Sequence, residues 1–175
     1  MDLSRPHEVY LENELWILAI GGAFQRASVY RDGVSETKRR KFREAIKARV
    51  RGFVKDRYCG QAVSSEDHIR TVEEISTWVS KEHSAVLSGG RLRIGVAQKL
   101  LNLYLKYLWC WGKIREPPHY PFDKTIIDML QCPRRVSWTE LDDIGDYRML
   151  VEAARKAAGD GLSLAQWELQ AFNRQ

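Results

Sequence analysis

The sequence predicts an all-α fold of about seven helices, a single compact domain spanning residues 1–175, and three observations carry that expectation. Apolar residues recur at intervals of three and four through almost every segment. No stretch alternates as a half-buried strand would, and no internal repeat divides the chain. Its 175 residues, 44% of them hydrophobic, are enough for one buried core and suit one domain better than two.

Residues from about His7 to Tyr30 follow a helical pattern, with Gly21-Gly22 as the expected break. The next helix begins near Ser35 and carries Phe42, Ile46, Val50, Phe53 and Val54 at helical spacing. Serines at the head of "SSEDHIRTVEEISTWVSKEH" suit N-caps, and Val72, Ile75, Val79 and Val86 mark its buried side. A glycine-bearing turn, "LSGGRLRIG", leads into a strongly apolar helix from about Gly95 to Trp111. Pro117, Pro118 and Pro121 then make a loop before a shorter helix from Phe122 to about Gln131. "SWTE", Ser137 to Glu140, has the spacing of a capping box. "YRMLVEAARKAAG" is a helix closed by Gly159, and Ser163 opens the last one, "SLAQWELQAF".

Composition narrows the classes of function. No window approaches the eighteen or so apolar residues of a membrane span, and "MDLSRPHEVY" has acids where a signal peptide needs a basic region, so a soluble, cytoplasmic protein is expected. Cys59, Cys110 and Cys132 are odd in number and widely spaced, which points to reduced thiols, no metal and no cofactor. The histidines, too, lack a metal-ligand spacing. The positive charge is concentrated: Lys38 to Arg57 holds ten Lys or Arg against Glu44 and Asp56, while the other residues hold eighteen basic and twenty-one acidic side chains. An amphipathic helix with one densely basic face attracts a polyanion such as nucleic acid, with Lys38, Arg39, Arg40, Lys47 and Arg51 as contact residues. A solvated helix surface is the plainer account, and an anionic membrane surface a third.

Chemistry is expected around the Gly95 to Trp111 helix. Val96, Leu100, Leu103, Tyr104, Tyr107, Leu108 and Trp111 give it a wide apolar face, and Lys99, Asn102 and Lys106 fall together on another side. A solvated stripe would explain those three polar residues. Lys99, however, lies one turn into its helix just after a glycine turn, and "PPHYPFDK" returns the chain to present Asp123 at the mouth of the next helix. Asp123 is either a helix N-cap or a fixed carboxylate facing that lysine.

"IGVAQK", then an apolar helix, then "PPHYPFD" resembles the core of the helix-hairpin-helix DNA glycosylases, in particular the 8-oxoguanine and archaeal branches, over roughly residues 85–131. Gly95, Val96 and Lys99 match that family's hairpin with its nucleophilic lysine, with Ala97 standing at the second hairpin glycine. Pro121, Phe122 and Asp123 match its catalytic aspartate motif. The resemblance implies a monomeric enzyme that extrudes a damaged or modified base from double-stranded DNA and excises it, with or without strand cleavage. It makes Lys99 and Asp123 the catalytic pair and assigns Trp109, Trp111, His119, Tyr120 and Phe122 to a base pocket. Amides near Gly95, with Arg91 and Arg93, would hold a phosphate at the helix N-terminus. Lys106 and partial burial are expected to lower the pKa of Lys99. The alternative is a non-catalytic helical module for nucleic-acid binding or protein interaction. Geometry separates the two: an enzyme needs Lys99 and Asp123 in one cleft.

Overall fold

A computed structural model describes residues 5–173. Seven α-helices follow one another: α1 (Pro6–Phe24), α2 (Glu36–Phe53), α3 (Ser65–His83), α4 (Ile94–Cys110), α5 (Lys124–Asp128), α6 (Ile144–Ala158) and α7 (Leu164–Asn173). Extended structure among the described residues amounts to one isolated antiparallel bridge, Tyr30 to Leu87. The fold class is therefore all-α, and no helix is long and apolar enough to cross a membrane among the described residues.

α4 is the axis of the molecule. Val96, Ala97, Leu100, Leu101, Tyr104, Leu105 and Leu108 are all essentially inaccessible, and α1, α3 and α6 pack around them. The solvated stripe that would have explained Asn102 and Lys106 is not found: Asn102, like its neighbour Gln98, is fully buried, and Lys106 is held by the buried Glu168 of α7 at 2.8 Å. The expected break in the first helix does not occur either, because α1 runs through Gly21 and Gly22 to Phe24. A Cβ at Gly22 would come within 2.8 Å of Leu103 Cδ1, so this glycine lets α1 lie close on α4. Residues 25–31 leave the helix as turns and the bridge.

α2 begins where Ser35 accepts from the Lys38 amide, and it ends in one π-helical turn, Val54–Tyr58. Two serines fasten the chain between α3 and α4: Ser76 donates to the Leu92 carbonyl (2.5 Å), and Ser80 accepts from the Leu92 amide (2.9 Å). Gly89 and Gly90, both with positive φ, make the turn before it. α5 is shorter than the predicted Phe122 to Gln131 helix because Phe122 gives both its backbone groups to Gln98, leaving Asp123 as the extended N-cap. "SWTE" forms a single turn, with Ser137 accepting from the Glu140 and Leu141 amides, and α6 starts only after Asp143 caps it.

Candidate functional site

The loop that carries Asp123 is fixed by a buried polar network rooted in α4. Gln98 donates to the carbonyls of Gly95 (3.0 Å) and Phe122 (2.9 Å) and accepts from the Phe122 amide (3.1 Å). Asn102, one turn on, donates to Gln98 and to the Tyr147 hydroxyl (3.3 Å). Tyr147 bonds His119 Nδ1 (2.8 Å), and Ser65 bonds the other ring nitrogen (2.7 Å). The network joins α4, the 117–123 loop and α6 through buried groups, where a hydrogen bond is strong and its loss costly, and reaches α3 at the part-buried Ser65.

This network relocates three residues assigned to a base pocket. His119 is fully buried with both nitrogens bonded, and burial together with the nearby His68 holds its pKa well below the usual value. Tyr120 and Phe122 stack on each other at 4.6 Å between ring centres and pack against Trp167 and Tyr147 respectively, so both are core. Trp109 and Trp111 lie half-buried at the far end of α4. Ten residues of helix put Trp109 about 15 Å from Lys99 along the axis. None of the five lines the cleft that Trp138 walls.

The N-terminus of α4 is likewise occupied by the chain itself. Gly95 donates its amide to the Leu141 carbonyl (2.8 Å), and a Cβ there would overlap the Trp138 carbonyl oxygen. Arg93 donates to the Thr139 carbonyl (2.8 Å), and Arg91 pairs with Asp142. The close approach that glycine permits here is to the 137–142 segment, which takes the place expected for a phosphate.

Lys99 lies close enough to Asp123 to feel its charge. Asp123 is half-buried and accepts from the Ile126 amide at 3.0 Å, so it is an N-cap; its charge also acts on Lys99, favouring the ammonium. The Lys99 Nζ stands 3.9 Å from the centre of the Trp138 ring. Burial lowers the Lys99 pKa, and Arg26 pushes it the same way against the pull of Asp123. Lys106 is not the cause, being neutralised by Glu168.

Trp138 is also a wall of an open cleft of about 600 Å³ between α5 and residues 130–139. Arg26, Lys124, Arg134 and Arg135 line it with a single acid, Asp128, and Ile127, Leu130 and Val136 supply apolar surface. Sequence reasoning missed Trp138 and these arginines because they come from two segments more than a hundred residues apart. A glutamine amid the apolar positions of α4 was the available signal for Gln98.

α2 is less free than its composition implied. Lys47 donates to Asn13, Arg51 pairs with the buried Glu12 (3.4 Å), Arg43 with Glu36, and Arg57 with Glu74 (2.6 Å). Arg39 lies over Tyr30, and Arg49 over Phe53 and Trp78. Lys38, Arg40, Lys41 and Lys55 are the exposed basic residues of this segment that make no ion pair or ring contact among the described residues. No group of His, Cys, Asp and Glu is arranged to hold a metal among those residues.

Compared with known proteins, the chain matches no family model, no curated protein and no solved structure.

Proposed function

We propose that this protein is a DNA glycosylase that excises a damaged or modified base, with Lys99 as nucleophile and Asp123 as the electrostatic partner. The observation that carries the reading is a half-buried amine, its proton disfavoured by burial, with a helix-capping carboxylate acting on it from the next element. A neutral amine is the competent nucleophile, and lowering its pKa raises the fraction present at neutral pH. Lys99 Nζ attacks C1′ of the extruded nucleotide; the C1′–N bond breaks, its electron pair leaves with the base, and the base takes up a proton. Asp123 stabilises the positive charge that develops on the sugar. The amine then passes a proton to O4′ as the C1′–O4′ bond breaks and the nitrogen lone pair forms the C=N bond of a protonated Schiff base, from which a strand can be cleaved. The cationic cleft beside Trp138 supports a polyanionic substrate.

The test is incubation with duplexes carrying a panel of modified bases, with borohydride present to reduce the imine to a stable amine. Wild-type protein should give a covalent adduct that Lys99→Gln abolishes. Asp123→Asn keeps an N-cap side chain and should lower base release about 100-fold or more. Base release that survives both substitutions would sink the reading.

A further inference from the structure

The basic cleft and the basic helix compete for the same role, and their electrostatic states differ. Most α2 arginines already face a carboxylate or an aromatic ring, and Lys47 an amide oxygen. In the cleft, Lys124 pairs with Asp128 and Arg134 with Asp146, but Arg26 and Arg135 face the cavity with no carboxylate partner among the described residues. Two exposed guanidiniums in one concavity focus positive potential more than the unpaired cations spread along the convex α2 helix do. Guanidinium is also the side chain whose planar fork matches a phosphate by two parallel hydrogen bonds. The apolar wall beside them and the adjoining Lys99–Trp138 contact place this charge next to the proposed chemistry.

We infer that this cleft is the seat of the DNA backbone, with Arg26 and Arg135 binding phosphodiester groups and α2 contributing little. The inference rests on the reading of the protein as one that acts on DNA, and it names the surface by which it does so.

The experiment measures fluorescence anisotropy of a labelled, unmodified DNA, single-stranded and duplex, across a salt series. Unmodified DNA removes base release from the readout. Arg26→Gln with Arg135→Gln should weaken binding about tenfold and reduce the slope of log affinity against log salt by about two, one for each phosphate no longer neutralised. Arg26→Lys with Arg135→Lys keeps the charge and should retain most of the affinity, which separates a weakened phosphate grip from a damaged fold. Arg40→Gln with Lys41→Gln on α2 should change affinity less than twofold. Unchanged binding in the cleft double variant, a larger loss from the α2 pair, or tighter binding of RNA than of DNA of the same sequence would each overturn the inference. Cleft-dependent binding without base release would leave it standing and remove only the enzymatic reading.

Discussion

α2 and α4 are the two helices that stand out in the sequence, and they invert each other's expectations. α2 carries the densest charge in the chain, yet its arginines and lysines serve largely to lock it onto its neighbours, with Arg51 on the buried Glu12 and Arg57 on Glu74. α4 is mostly apolar, yet its few polar residues have the consequences: Gln98 and Asn102 fix the loop before Asp123, and Lys99 lies against Trp138 beside the cleft. Charge density therefore measures attraction to a polyanion only after internal partners are subtracted. A few buried polar groups on a central helix set geometry more firmly, because each has no water to fall back on.

The sharpest way to break this contrast is at the start of α4. Gly95→Ala forces a methyl group into the Trp138 carbonyl oxygen, where the obstacle is backbone and not a side chain that can turn aside. We expect a loss of at least about 3 kcal/mol, at the upper end for an overpacked position, read as a lower midpoint in urea unfolding. If instead Gly95 is needed only to admit a phosphate, Gly95→Ala would keep its full stability and lose DNA affinity. That outcome would restore the hairpin reading of "IGVAQK".

The sequence made the helices legible and the contacts between them largely not. Periodicity placed α4 within a residue at each end, and the turn of the chain after the prolines marked Asp123 as a helix N-cap, because both signals are local. The same periodicity put Asn102 and Lys106 on one side of α4 and left a solvated stripe open as their explanation, since a helical wheel reports direction and not what lies there. His119 meets Ser65 across 54 residues of sequence, and Gln98 meets Phe122 across 24. No local pattern encodes such pairings. The loop aromatics looked like pocket residues for the same reason: beside prolines they are as consistent with core as with a rim, and burial decides for core. The 137–142 segment that covers the start of α4 carried a capping-box pattern without becoming a helix, its turn being taken up by packing on Gly95.

A smaller effect tests whether the network behind α4 is sealed from water. His68 is fully buried, bonded to Tyr58 at 2.9 Å and close to His119, and burial lowers its pKa from 6.5 to about 3. Because its folded-state pKa lies below the unfolded value, the unfolded chain binds the proton more readily. Its contribution is fully present above pH 6.5 and is lost as pH falls toward 3. Each unit of pH in that window should cost about 1.4 kcal/mol from this one residue. Urea unfolding at about pH 6.5 and about pH 5.5 should therefore show a lower midpoint at the more acidic value, before the exposed carboxylates begin to protonate. An unchanged midpoint would mean that the ring is hydrated, and α4 would lose its claim to a dry framework.

The smallest expected effect lies on α2, and its smallness is the point. Arg40 and Lys41 are exposed and make no hydrogen-bonded ion pair or ring contact among the described residues, Glu36 acting on Arg40 only through space, so Arg40→Gln with Lys41→Gln removes two charges and no direct contact. Exposed substitutions of that kind stay within about 0.5 kcal/mol. Relief of repulsion among ten neighbouring cations should make the change neutral or slightly stabilising at low salt and invisible at high salt, where exposed charges are screened. Thermal unfolding at two ionic strengths reads this directly. A clear destabilisation that persists in high salt would show that the outer charges of α2 hold the fold together just as the inner ones do. The contrast between a self-neutralised helix and an open cationic cleft would then have to be drawn with Arg26 and Arg135 alone on its open side.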